Sequence, residues 1–282
     1  MTATGGQEVV LALGGGGVRG IAHLGVLAEF EAAGVEVRAI AGTSSGALMG
    51  ALWLVSGAEE AIVRVREFCR SGRARPLPDP MIDVPSSTLG GRVKRLAVLV
   101  SLLRVLLGRQ RMAERELLDH VAFFLPDIAV EALRRPFVAV ATDNATGDEV
   151  WISRGSLRLA VAASSAMPGL VRPIALDGKR VQDGGAVAEI PVRAARSLGG
   201  PVVAVEVSEG LPVGVPERDR LPRAMFRAAA MGWQALRRRT LAEAEAVVAP
   251  AVNHLHWADY RAADEAIAAG RAAGRAFLSG RS

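Results

Sequence analysis

Two apolar runs near the start of the chain each end in glycine and then turn helical, and this repeated pattern restricts the fold more than any other feature. The first is "EVVLALGGGGVRGIAHLGVLAEF" (8–30) and the second is "VRAIAGTSSGALMGALWLV" (37–55). An apolar run without alternation is what a strand covered on both faces shows. Such strands belong to a largely parallel sheet with helices on either side. Gly34 is placed to end the first helix. Ser56 and Glu59 have capping-box spacing, which predicts a new helix start there. "FVAVAT" (137–142), "RVQDGG" (180–185) and "VVAVEVS" (202–208) read as further strands, with a hairpin turn at "TGD" (146–148). Beyond residue 215 the pattern reads as helical and alanine-rich.

The expectation is α/β: a three-layer α/β/α sandwich with a mainly parallel central sheet and a helical C-terminal extension. The chain has 282 residues, half of them hydrophobic, enough for one domain spanning 1–282. Its motif-bearing region runs from about 9 to 208, and the extension covers about 215–282.

The serine turn "GTSSG" fits a Gly-x-Ser-x-Gly frame in one register: Gly42, Thr43, Ser44, Ser45, Gly46. In that frame Ser44 occupies the tip of a tight strand-to-helix turn, where glycines permit close backbone approach. Ser45 runs into the helix. An ordinary Ser/Gly-rich helix cap fits the same letters.

"LGGGGVRG" (13–20) contains Gly15-x-Gly17-x-x-Gly20 between a strand and a helix, the context of a dinucleotide-binding turn. That use needs an acidic residue after the second strand to hold a ribose. From Arg38 to Ala58 there is no Asp or Glu, and the serine turn stands in that place. A phosphate-binding P-loop fails too, because no Gly-Lys-Ser/Thr follows. Successive glycine N–H groups at a helix start can instead cradle an anion, including a transient oxyanion. If the two strands are parallel neighbours, the glycine turn lies beside Ser44, as acyl transfer requires.

In "VQDGGAVAEIPV" (181–192), Asp183 ends a short strand ahead of Gly184 and Gly185. Asp-Gly is a common β-turn, and taken alone it carries no chemistry.

Taken together and in this order, "GGGGVRGIAHLGVL", "GTSSGAL" and "DGGAVAEIPV" resemble the patatin-like phospholipases. The resemblance continues through "ATDNATGDEVWISRGSL", "AVAASSAMPGLVRPI" and "NHLHWADYRAADEAIAAG". It implies a Ser–Asp dyad, with Ser44 as nucleophile and Asp183 as general base. Gly15, Gly16 and Gly17 would form the oxyanion hole, and Arg19, Gly20, Gly42, Gly46, Gly184 and Gly185 would support the motifs. It also implies a lipid or ester substrate and no metal or organic cofactor. "DNATG" departs from the usual segment and leaves Asp143 without an assigned role. A carboxylate within hydrogen-bond reach, partly desolvated, can take the serine proton directly, without a histidine.

Two alternatives stay open. His254 and His256 follow Asp183, so a Ser–Asp–His order is available, although a nucleophile on the second strand is early for an α/β-hydrolase. His23, inside the first helix, reads as a packed residue rather than a base. A regulatory or binding protein of the same fold is the other alternative.

The formal charge is +5, and Lys94 and Lys179 are the only lysines among the basic residues. An Arg-rich balance suits anionic surfaces without selecting one, and no nucleic-acid partner or oligomeric state is implied. Cys69 is the only cysteine, which excludes an intrachain disulfide and a cysteine metal site. No basic leader precedes the first apolar run, which is too short to span a bilayer, so a reducing, cytoplasmic compartment is expected. Residues 92–112, "RVKRLAVLVSLLRVLLGRQRM", are the candidate for peripheral membrane contact. The stretch is basic at both ends and apolar on one stripe, with further apolar residues opposite, so it reads as a buried cap or a lipid-facing lid.

Overall fold

The computed structural model describes residues 8–73, 112–208 and 221–280. The candidate membrane segment, 92–112, lies outside them except for Met112.

In chain order the elements are β1 (Glu8–Leu13), α1 (Ala22–Ala32), β2 (Glu36–Thr43), α2 (Ser45–Ser56), α3 (Ala58–Arg70) and α4 (Glu114–Phe124). There follow β3 (Phe137–Asp143), β4 (Glu149–Ile152), α5 (Leu157–Ser164), β5 (Ile174–Leu176) and β6 (Lys179–Asp183). The chain closes with α6 (Val192–Ser197), β7 (Val202–Val205), α7 (Leu221–Leu241), β8 (Ala246–Val248) and α8 (Ala263–Ser279).

The strands form one sheet in the order β5-β6-β3-β2-β1-β7-β8, with β4 added against β3. The β2–β3, β1–β2, β1–β7 and β7–β8 pairs are parallel, whereas β4, β5 and β6 run antiparallel to their partners. The continuous apolar runs have the predicted cause. Along β1, Val9, Leu11 and Leu13 face one helical layer, and Val10 and Ala12 face the other. The first layer contains α1, α2, α3 and α8 and holds the large side chains. The second face is lined by Ala12, Ala39, Ala41 and Ala204 under the short helix α6, so it is thin.

Two local readings change. Ser56 is the last residue of α2 and donates back to the Leu52 carbonyl, so it caps nothing. Helix α3 does start in the expected place, at Ala58, but its N-cap is Gly57, and Glu31 accepts the Ala58 N–H at 3.0 Å. Glu31 reaches that N–H from a distant part of the chain, which the local spacing did not disclose. The C-terminal region is also not purely helical: Ala246–Val248 adds a strand to the sheet beside β7. Helix α8 lies directly on α1, and no side chain fits at Gly270, whose missing Cβ would run into the Ala22 carbonyl.

Candidate active site

Ser44 stands between β2 and α2 with φ 54 and ψ −119. Among the described residues only Ser44 and Asp177 have positive φ without being glycine. Such a conformation costs about 1–3 kcal/mol and persists only where neighbours fix it. Here the Ser44 N–H donates to Ser164 Oγ at 2.9 Å, and the Ser164 hydroxyl donates to the Val140 carbonyl at 2.6 Å. Thr43 Oγ1 donates to the Ala188 carbonyl at 2.8 Å and ties β2 to the segment after Asp183. The flanking glycines allow the turn to close. A Cβ at Gly42 would lie 2.6 Å from the backbone of Ala47, and one at Gly46 would enter the Leu13 carbonyl. Ser45 begins α2, with its Oγ buried against Gly20 and no hydrogen-bond partner among the described residues.

Sheet register brings Asp183 to the same place. Along one edge of β3, Thr43 pairs with Val140 and Asp183 pairs with Ala141, the next residue. Strand β4 occupies the other edge over Ala139–Thr142, so β6 continues the edge that β2 leaves. Ser44 and Asp183 are therefore neighbours because β3 is longer than its contact with β2. Asp183 is 6% exposed, and its carboxylate accepts the Gly185 N–H at 2.7 Å and lies near the Ser44 side chain, whose influence favours the ionised form. Burial pushes its pKa up to about 6, against the Gly185 hydrogen bond and the nearby Ser44 side chain, and the nearby charge of Glu189 adds to the rise. Gly184 packs where a Cβ would meet the Val140 carbonyl.

The glycine turn closes the site from the end of β1. A Cβ at Gly15 would lie 3.4 Å from Ser44 Cβ. The Gly14–Gly15 peptide is held at both ends: His23 Nε2 donates to Gly14 O at 2.8 Å, and the Gly15 N–H donates to Glu189 O at 2.8 Å. Burial lowers His23 to about 4, so its ring is neutral at pH 7 and structural. Gly15 has thus committed its N–H, and no hydrogen bond from the Gly16 or Gly17 N–H is seen among the described residues. Arg19, 5% exposed, donates from Nε to Gly16 O at 3.3 Å. Gly17 has φ +60 and packs against the Trp257 carbonyl, two reasons for glycine there.

The downstream histidines are engaged elsewhere. His254 pairs with Glu265 at 2.7 Å on the surface, and His256 Nδ1 accepts the Ala258 N–H at 3.2 Å. Asp143 accepts the Ala145 N–H at 3.0 Å and pairs with Lys179 at 3.2 Å, the bonds of a turn-forming residue. Among the described residues no group of three or more His, Cys, Asp or Glu could hold a metal ion. Sequence reasoning missed Ser164, whose only signal was its place in the quoted "AVAASSAMPGL". It missed Glu189 as well, because a backbone carbonyl leaves no mark in a sequence.

Residues 11–196 match the family model of the patatin-like phospholipases. The chain belongs to that family. An uncharacterized NTE family protein of Mycobacterium tuberculosis is 30% identical over 97% of this chain and 47% of its own length. A second NTE family protein, from Mycobacterium bovis, is 31% identical over 76% of this chain and 52% of its own. The mouse patatin-like phospholipase domain-containing protein 6 is 30% identical over 87% of this chain and 16% of its own length. The patatin-like chain thus spans about half the length of the mycobacterial relatives it matches.

Proposed function

We propose that the chain is a serine acyl hydrolase that cleaves carboxylic ester bonds of lipids, phospholipids among them, through Ser44 and Asp183. The reading rests on one observation above the others: a serine of strained backbone beside a buried carboxylate of raised pKa and a glycine turn. Family membership supports the substrate class.

Ser44 Oγ attacks the ester carbonyl carbon and its proton passes to Asp183. The carbonyl oxygen becomes an oxyanion facing the N–H groups of Gly16 and Gly17. Collapse breaks the carbon–oxygen bond, and the alcohol leaves with the proton from Asp183. Water then attacks the acyl-serine, with Asp183 again taking and returning the proton. A pKa of about 6 leaves the carboxylate ionised at neutral pH yet more basic than an exposed aspartate. The N-terminus of α2 favours the charge that develops at Ser44. Arg19 is a positioning residue in this scheme. In a trans peptide the carbonyl and the following N–H point oppositely, so fixing Gly16 O aims the Gly17 N–H. Lone Cys69 suits work in a reducing, cytoplasmic compartment, with lipid reached at a membrane's periphery.

A fluorophosphonate probe tests the nucleophile. It should label Ser44 in the native protein and nothing in Ser44→Ala, while Ser45→Ala keeps labelling and most ester turnover. Label on Ser45, or turnover surviving in Ser44→Ala, would remove the assignment.

A further inference from the structure

The glycine turn is anchored outside itself. The Gly15 N–H donates to Glu189 O at 2.8 Å, so the main chain at 189 fixes how the turn leaves β1. What holds Glu189 in turn is a side chain 48 positions further on. Arg237 of α7 donates to Glu189 Oε2 from Nε at 3.0 Å and from Nη2 at 2.8 Å. Its Nη1 lies 3.7 Å from Glu206 Oε1. The Arg237 side chain is 10% exposed, so both pairs are shielded from water and their geometry is restrictive.

Glu206 follows β7, and the next residue packs on the glycine turn. A Cβ at Gly16 would lie 2.8 Å from the Val207 carbonyl oxygen. One guanidinium thus ties together the two segments that flank the turn, 189 at Gly15 and 206–207 at Gly16. From these contacts we infer that Arg237 is a positioning residue of the Ser44–Asp183 site: acting through Glu189, it fixes the glycine turn and offsets the negative charge beside Asp183. The catalytic meaning rests on the hydrolase reading, whereas the bracing of the turn rests on the hydrogen bonds.

The charged surroundings are few. Ser44 and the Gly185 N–H lie at Asp183, and Glu189 acts on it by charge. Arg237 from α7 and Glu206 after β7 face Glu189. On β3, Asp143 is paired with Lys179 at 3.2 Å, and His23, which holds Gly14 O, is neutral at pH 7.

The test compares Arg237→Gln and Arg237→Lys in the full chain, with melting curves to show that each is folded. On a soluble ester, Arg237→Gln should lower kcat about tenfold with KM little changed, less than the loss of a whole oxyanion donor. The acid midpoint of kcat/KM should rise by roughly 0.5, since Glu189 loses its cation; a charge in direct contact moves a carboxyl by about 1–3. Arg237→Lys keeps the charge without the paired hydrogen bonds, so it should restore the midpoint fully and kcat only in part. In a Glu189→Ala background, Arg237→Gln should change kcat less than about threefold, because the link it breaks is already gone. Hydrogen exchange of the Gly15 amide, followed by NMR, needs no turnover. It should quicken about tenfold in Arg237→Gln while the Leu11 amide of β1 is unchanged. Arg237→Lys, the milder change, carries the exchange test should Arg237→Gln fail to fold. Native kcat and midpoint in folded Arg237→Gln, equal kcat losses in the two backgrounds, or unchanged Gly15 exchange would each overturn the proposal. Absence of ester turnover in the native protein defeats the hydrolase reading instead, and the Gly15 exchange still decides whether Arg237 braces the turn.

Discussion

Strands β1, β2 and β7 and the first part of β3 are parallel and buried on both faces, whereas β4, β5 and β6 are antiparallel and partly exposed. The nucleophile turn and the glycine turn come from the parallel side, at strand ends fixed by a close-packed core. The candidate base comes from the antiparallel side, at the end of a five-residue strand with two exposed residues. A site divided in this way separates two demands. The parallel side holds a strained backbone and tolerates little change in volume. The antiparallel side supplies a carboxylate whose cost is electrostatic.

The largest expected effect breaks the antiparallel contribution alone. Asp183→Asn should lower ester turnover by about 10⁴-fold, near the loss seen when a catalytic general base is removed. It should also stabilise the fold. Asp183 titrates at about 6 when folded against an ordinary 3.8, so the native state binds the extra proton between those values. Its contribution to stability therefore falls as pH rises from about 4 to 6, by up to about 3 kcal/mol. Thermal melts should show Asp183→Asn level with the native chain below pH 4 and more stable above pH 6. A variant both inactive and less stable at pH 7 would show that Asp183 holds structure instead.

On the parallel side the expectation reverses. Gly46→Ala forces a methyl into the Leu13 carbonyl and should cost about 1–3 kcal/mol of stability, with activity lost through the fold. Unchanged melting would mean that the parallel side is softer than its packing indicates.

Arg19→Gln sharpens the comparison within the glycine turn. Loosening the Gly16–Gly17 peptide should reduce kcat by about 10- to 10²-fold with KM little changed, because only the transition state carries the oxyanion. An effect on KM alone would assign Arg19 to substrate binding.

The pH profile follows from the same carboxylate. Asp183 must be ionised to accept a proton, so kcat/KM should fall on the acid side with a midpoint near 6, not near 4. Glu189→Gln removes a negative neighbour and should move that midpoint to lower pH. The smallest effect is expected from His254→Asn, less than tenfold in turnover, since that ring is exposed and paired with Glu265. A loss of a thousandfold would restore a histidine base.

The sequence by itself determined the two strand–turn–helix units, since continuous apolar runs ending in glycine have few other uses. It determined also that Ser44 stands at a strand-to-helix turn and that the second strand carries no ribose-binding acid. Those are local facts, set by residue type within a dozen positions. The capping of α3 by Glu31 rather than Ser56, and the strand at 246–248, were not legible, because Glu31 and the edge of β7 act across the chain. Nor did the glycines reveal which N–H groups stay free, since that depends on Glu189 O reaching Gly15 from 174 positions away. Most of all, the meeting of Ser44 and Asp183 was decided by tertiary structure. It depends on β3 outlasting β2 so that β6 takes up the vacated edge, and on the burial that follows, which raises the carboxylate pKa. Register and desolvation belong to the assembled sheet, and no single stretch of sequence contains them.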